Sequence, residues 1–395
     1  MKRRLLIVLC CLVGLTMLAE PARATWSIVV FDRRTGQIGV ASATCLNSVD
    51  LENVLPVVIV GVGAACAQSA IDVGAVNRQF IHKELLEGTP PEVILELLDD
   101  FDNQHRQRQY GIVDGLHAAG TFTGSRAGAY AGGISGQVGD LSYAIQGNVI
   151  TGPPVVLKAE EALLSTPGDL PEKLMAAMEA AMRMGGDGRC SCNNSEPDGC
   201  GSPPSEFDKS AHIAFLVVAR LGDRDGQCGP GGGCARGDYF LNLNLPFQAS
   251  SNPDPVLGLR KMFEEWRVTQ FGRPDGVSSL ASFDRHALPA DGSSEAVLHI
   301  VARDFLDRPL RKGGATVDVQ HADDSTGSSS VVDITDRGDG TYDVRLRAGI
   351  RTGRDVFEVV LDDGLGREVT LAPFPSIEIL PPPLGPKQPL RWIRR

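Results

Sequence analysis

Between positions 57 and 62 the chain carries Val57, Val58, Ile59, Val60 and Val62, an almost unbroken β-branched run. A strand with apolar side chains on both faces has to be covered from both sides, so an open sheet facing water is excluded. The covering material follows directly. Residues 76–86 and 91–101 place apolar side chains at helical spacing, with Thr89 as a candidate cap before Pro90 and Pro91. Upstream, residues 25–31 and 37–44 read as two strands joined by the polar turn 32–36, and a second strand pair is expected over 54–68. Four strands followed by two helices predict a layered sandwich.

The pattern continues with strands over 109–113, 116–122 and 141–146, the last two separated by the small-residue-rich stretch 124–139. Helices are expected over 155–164 and 170–184. The second has Asp169 and Glu172 in capping-box spacing and Leu170, Leu174, Met178 and Met182 along one face. After an irregular Gly-, Pro-, Asn- and Cys-rich segment at 185–209, strands return at 211–220 and 238–243. A final helix starts at Asp254-Pro255 with Val256, Leu259, Phe263 and Trp266 on one side.

From about Ser293 the texture changes to short alternating strands without helices, at 296–302, 316–320, 331–334, 342–346, 356–361 and 369–371. Turn residues separate them at the intervals of a β-sandwich. Two domains are therefore expected: 25–270 and, after a linker at 271–290, 291–378. A Pro-rich basic tail at 379–395 ends the chain.

The first 24 residues have the layout of a secretory signal: Lys2, Arg3 and Arg4, an apolar stretch from Leu5 to Leu18, and Ala22-Arg23-Ala24 as a small-x-small cleavage site. The apolar stretch is shorter than the ~20 residues a membrane-spanning helix needs, so no membrane span is expected. Cleavage before Thr25 gives a secreted or periplasmic protein. It removes Lys2, Arg3, Arg4 and Arg23 against Glu20, taking the formal charge from −11 to −14. Such a charge argues against nucleic acid as a partner.

Cleavage also removes Cys10 and Cys11 and leaves Cys45, Cys66, Cys190, Cys192, Cys200, Cys228 and Cys234, an odd number with at least one thiol outside any intramolecular pair. Disulfides are expected in an oxidising compartment, and Cys45 and Cys66, set in apolar strands, read as structural. The spacing Cys190-Ser-Cys192 and Cys200 lacks the paired arrangement of common zinc sites. Asp223-Arg-Asp225-Gly226 lacks a full calcium loop, and His82 and His105 read as solvated surface residues. No metal or other cofactor is expected.

Thr25 carries the functional argument. A threonine hydroxyl needs a base beside it, and a threonine that is the first residue has one in its own α-amine, with an unperturbed pKa of about 7.7 to 8.0. The hairpin begins at Thr25 without a polar spacer, so the sheet would hold the nucleophile rigidly. Asn148 at a strand end is the candidate oxyanion donor. Ser27, two residues along the same strand face, and Ser42 on the paired strand are candidates to orient the amine. Gln68 and Asp187 are weaker candidates, one lining a pocket and one holding the terminus. No Gly-x-Ser-x-Gly elbow with a partner set offers a rival nucleophile.

Thr25-Trp-Ser-Ile-Val-Val-Phe-Asp32, Gly36-Gln-Ile-Gly-Val-Ala41, Gly61-Val-Gly-Ala64, Gly111-Ile-Val-Asp114, Phe122-Thr-Gly-Ser125, Gln146-Gly-Asn148, Gly185-Gly-Asp187 and Asn252-Pro-Asp-Pro255 occur in this order. Together they resemble the successive motifs of the domain-of-unknown-function 1028 family, over about residues 25–270. That family is grouped with N-terminal-nucleophile hydrolases. The resemblance implies an α+β fold, an αββα four-layer sandwich, and amide-bond hydrolysis of a small amide or peptide-like substrate. The chain departs from the family at Tyr130-Ala-Gly-Gly133, where a Trp-Ala-Gly-His segment is often found. Asp336-Arg-Gly-Asp-Gly-Thr-Tyr342-Asp-Val344 resembles the strand entry of filamin-type and other bacterial immunoglobulin-like modules, which implies an all-β sandwich that meets a cell-surface or protein partner. The competing readings are a noncatalytic binding or adhesion protein and a disulfide-built envelope protein.

Overall fold

The computed structural model describes residues 25–229 and 232–382. Residues 1–24, where a signal segment is expected, and most of the basic tail lie outside the described residues. The N-terminal domain is mixed α/β. It opens with the hairpin β1 (Thr25–Asp32) and β2 (Gln37–Thr44), the short helix α1 (Leu51–Val54), and the strands β3 (Pro56–Ile59) and β4 (Gly63–Ser69). Helices α2 (Val76–Leu86) and α3 (Pro91–Phe101) follow, then β5 (Arg108–Asp114), β6 (Gly120–Thr123), β7 (Ala131–Val138) and β8 (Leu141–Asn148). Next come α4 (Pro154–Ser165), α5 (Leu170–Arg183), the short α6 (Gly188–Ser191), β9 (Ile213–Ala219), β10 (Leu241–Leu245) and α7 (Pro255–Gln270).

These strands form two antiparallel sheets, one in the order β10-β9-β2-β1-β8-β7 and one in the order β3-β4-β5-β6. The two-residue period of β1 sends its side chains to different cores. Val29 and Phe31 meet Cys66 and Val113 of the second sheet, whereas Trp26, Ile28 and Val30 pack with Leu174 and Met178 of α5 and Phe263 of α7. On the far face of the second sheet, Val57, Ile59, Tyr110 and Ile112 pack against Ile81 and Leu85 of α2 and Ile94 and Leu98 of α3. The apolar run that opens β3 is thus covered on both faces, as its composition requires.

Helix termini follow their sequence signals in two cases. Asp169 accepts the Glu172 N–H at 3.2 Å, and Asp254 accepts that of Val256 at 2.9 Å. The Thr89 cap is a correction. Pro90 occupies the N-cap of α3 without a side-chain bond, and the Thr89 hydroxyl donates instead to Glu84 at 2.8 Å.

The stretch 124–139 contains β7, which glycine content had hidden. A Cβ at Gly133 would lie 2.7 Å from Thr121 Oγ1, and one at Gly136 2.5 Å from Tyr143 Oη, so close packing against neighbouring strands demands glycine here.

The C-terminal part is all-β and immunoglobulin-like. It holds β11 (Leu280–Phe283), β12 (Ala287–Pro289), β13 (Glu295–Val301), β14 (Thr316–His321), β15 (Ser330–Asp336), β16 (Thr341–Arg347), β17 (Gly353–Asp362), β18 (Val369–Thr370) and β19 (Ser376–Leu380). Sheets β11-β13-β16-β15 and β12-β19-β17-β14 enclose a core that includes Leu298, Tyr342, Val344, Phe357 and Val359. The stretch 271–290, read from sequence as a linker, supplies β11 and β12 to these two sheets.

Three disulfides join Cys45 to Cys190, Cys192 to Cys200 and Cys228 to Cys234; Cys66 is the free thiol, fully buried. No described helix is long and apolar enough to cross a membrane.

Candidate functional site at Thr25

Thr25 is the first residue of β1, which lies between β2 and β8. The register sets Thr25 opposite Asn148 on β8, and Trp26 opposite Ala43 on β2, so Thr44 is the next residue on that side. Thr25, Thr44 and Asn148 are all buried. Strand period places Thr25 and Ser27 on the same face as Val29 and Phe31, toward the second sheet.

Behind Thr25 runs a polar chain through an otherwise apolar interface. Gln68 of β4 donates its Nε2 to the Thr25 carbonyl at 3.1 Å and to Gln109 Oε1 at 2.7 Å, and its Oε1 accepts the Ser27 hydroxyl at 2.6 Å. Gln146 of β8 donates to Ser27 Oγ at 2.5 Å. Gln109 of β5 continues the chain to Thr123 Oγ1 at 2.9 Å and the Gly147 carbonyl at 3.0 Å. Ser27, Gln68, Gln109 and Gln146 are each 0 % exposed, so each bond replaces water that is not there. Gly111 makes the room, since a Cβ there would sit 2.1 Å from Gln146 Oε1. Burial pushes the neighbouring Cys66 thiol up to about 12, leaving it protonated and inert.

The other sequence-derived candidates take defined places. Asn148 Nδ2 donates to the Ala127 carbonyl at 3.1 Å, which also accepts the Ser69 hydroxyl at 3.2 Å. Ser42 stands opposite Ser27 in the register, and its hydroxyl donates to the Trp26 carbonyl at 2.7 Å. Asp187 is fully buried beside the end of β2, accepting the Cys45 N–H at 2.6 Å and pairing with Arg189 Nη2 at 2.8 Å. Arg189 Nη2 also donates to Thr44 Oγ1 at 3.3 Å. The Cys45–Cys190 bond fastens this corner to the strand end.

Sequence reasoning missed Gln109, Thr44 and Arg189. The detectable signal for the last was its place two residues after Asp187, within reach of one carboxylate. Two non-glycine residues at the ends of the site strands, Ser69 as the last residue of β4 at φ 72° and Val149 just past β8 at φ 52°, adopt left-handed backbone. That conformation is costly for a β-branched residue and clusters at functional positions.

His105 is corrected from surface to interior. It is 5 % exposed and its ring centroid lies 3.8 Å from that of Phe122. Among the described residues, Cys45, Cys190 and His212 form the one group that brings three metal-type ligands together, and the two sulfurs are bonded to each other.

Residues 25–195 match a protein family described as a family of unknown function (DUF1028), and residues 275–372 match domain 3 of invasin. No curated protein matches the sequence. Among solved structures, protein SPO2555 from Silicibacter pomeroyi, of the DUF1028 type, is 21 % identical, with a TM-score of 0.44; the match covers 61 % of this chain and 85 % of that one. The Yersinia pseudotuberculosis adhesin InvE is also 21 % identical, with a TM-score of 0.23, over 28 % of each chain. InvD of the same organism is 18 % identical, with a TM-score of 0.21, over 26 % of this chain and 27 % of its own. The chain thus spans little more than a quarter of either Yersinia protein. It carries a DUF1028 domain at residues 25–195 and an immunoglobulin-like domain of the invasin domain 3 type at residues 275–372.

Proposed function

We propose an extracellular protein that attaches to a cell-surface partner through its C-terminal domain and hydrolyses an amide or peptide-like substrate at Thr25 of its N-terminal domain. Attachment has the broader support, the match of residues 275–372 to invasin domain 3, which taken alone favours a noncatalytic adhesion protein. Three disulfides agree with an oxidising location.

The hydrolytic half rests on one observation: Thr25 starts a central strand and its carbonyl is held by Gln68 from the facing sheet at 3.1 Å. Two facing sheets with helices packed on their outer faces support reading this domain as the αββα layering of an N-terminal-nucleophile hydrolase. In the full chain Ala24 precedes Thr25 and ties its nitrogen into a peptide bond, so the base exists only after cleavage. The freed amine takes the hydroxyl proton as Oγ attacks the amide carbon. The C–N bond then breaks, and the proton passes to the leaving amine. Water hydrolyses the resulting ester, releasing the acid and restoring the threonine. Asn148, opposite Thr25, is the oxyanion donor in this scheme, an interaction worth ~3 to 4 kcal/mol in the transition state.

Mass spectrometry of the secreted protein, followed by labelling with an acylating β-lactone, tests this. A terminus at Thr25 and an adduct lost in Thr25→Ala are expected. A terminus elsewhere, or equal labelling of both proteins, removes the hydrolytic half and leaves adhesion.

A further inference from the structure

A groove of about 690 Å³ runs between α3 and β6, and what it binds does not depend on whether Thr25 is a nucleophile. We propose that it binds an extended peptide segment with lysine or arginine at alternate positions, supplied by another protein.

Charge complementarity selects this occupant. Glu92, Glu96 and Asp99 lie four and three residues apart on α3, hence on one helix face, and all three line the groove. None is in an ion pair among the described residues, and Arg106 is the one cationic side chain in the lining. Elsewhere the protein pairs its carboxylates freely, as Glu84 with Lys83 and Glu172 with Arg260.

The wall adds a second, independent sign. His105 lines the groove at 5 % exposure, and its Nδ1 is buried without a hydrogen-bond partner. An unsatisfied buried nitrogen is costly, and such atoms concentrate where a ligand or water completes them. Burial holds the imidazole below its usual pKa, with Asp99 and Asp102 opposing, so the ring is neutral and offers an acceptor. Phe122 is stacked on it and presents an aromatic surface to a cation, and Leu95 offers apolar surface to its alkyl stem.

The dimensions favour a peptide over a metal ion. The three carboxylates are spread along about 10 Å of helix, and they do not belong to any described group of three ligand atoms within 4.8 Å of one another. Alternate residues of an extended chain are spaced about 6.8 Å apart, which suits carboxylates one helical turn from each other.

Fluorescence anisotropy of a labelled (Leu-Arg)3 peptide with the full-length protein tests the proposal. Glu92→Gln, Glu96→Gln and Asp99→Asn together should weaken binding about tenfold at low salt, the combined effect of three exposed charge contacts. A control pair on α7, Glu264→Gln with Glu265→Gln, should change it less than about twofold, and His105→Phe should weaken it several-fold with the ring volume kept. The proposal is overturned by equal affinity for (Leu-Glu)3, by an unchanged affinity in the triple variant, or by displacement of the peptide by millimolar calcium.

Discussion

The Gln68 side-chain amide reaches across the interface between the two sheets to the carbonyl of Thr25, 3.1 Å away, and hands its oxygen to Ser27. The first residue of β1 is therefore positioned by β4 as well as by its own sheet. Gln68→Leu leaves the Thr25 carbonyl and Gln109 Oε1 buried without that donor and Ser27 without that acceptor. Each such group costs about 1–3 kcal/mol, so a loss of roughly 3 kcal/mol or more in urea unfolding is expected, together with weaker acylation of Thr25. Stability within error of the parent protein would show that the glutamine chain is not structural.

The disulfides should differ in weight. Cys45 and Cys190 are 145 residues apart, whereas Cys228 and Cys234 are separated by 6. Loop-closure entropy assigns about 5 kcal/mol to the long loop and about 2 kcal/mol to the short one. Cys45→Ala with Cys190→Ala should lower the guanidinium midpoint more than Cys228→Ala with Cys234→Ala does. The reverse order would mean that the corner holding Asp187 and Arg189 stays folded without its bond.

Elements with strong periodicity were legible from sequence: the β1–β2 hairpin, α2 and α3 follow from alternation or from helical spacing of apolar residues. What stayed hidden had physical causes. In β7, glycine replaces the β-branched signal because neighbours crowd the Cβ positions. β11 and β12 are 4 and 3 residues long, too short to show a period. Thr25 could be singled out by its place after a cleavage motif. Among its supporting glutamines, Gln68 could be read as lining a pocket, but Gln109 and Gln146 alternate with apolar residues and so look solvent-facing until the facing sheet covers each of them. The partner of Cys45 is a tertiary fact that no local spacing encodes.

Glu52 should make stability pH-dependent. It is 6 % exposed on α1, and burial pushes its pKa up to about 7, with the Asn242 amide, 2.7 Å from Oε1, opposing and nearby Asp50 adding to the rise. A carboxyl raised in the folded state binds more protons there than in the unfolded chain. Its contribution is present below the unfolded value of 4.5 and is lost as pH climbs from there toward 7. Glu52→Gln keeps the hydrogen bond to Asn242 and removes the charge. The variant should gain on the order of 2–3 kcal/mol relative to the parent at pH 8 and little at pH 4. Parallel pH–stability curves for the two proteins would place the titration elsewhere.

The contact between the two domains should be tight because one of its ion pairs, Arg220–Asp275, is dry. Arg220, at the end of β9, meets Asp275 at 2.8 Å and Gln37 at 2.9 Å, and both members of the pair are buried. Asp275 also accepts the N–H groups of Val277 and Ser278, which fix the turn leading into β11. Burial would raise this carboxyl, and the Arg220 charge with these hydrogen bonds brings it below its usual value. Asp275→Asn keeps much of the shape and removes the charge, leaving a buried guanidinium short of its counter-ion at a cost of about 3–5 kcal/mol. Because Arg220 also stacks on Phe240, 3.4 Å from the ring centroid, the N-terminal side should stay packed while the junction loosens. Limited proteolysis should then show faster cleavage between α7 and β11 in the variant. Uniform cleavage across the chain would instead mean that the pair stabilises the whole fold rather than the junction.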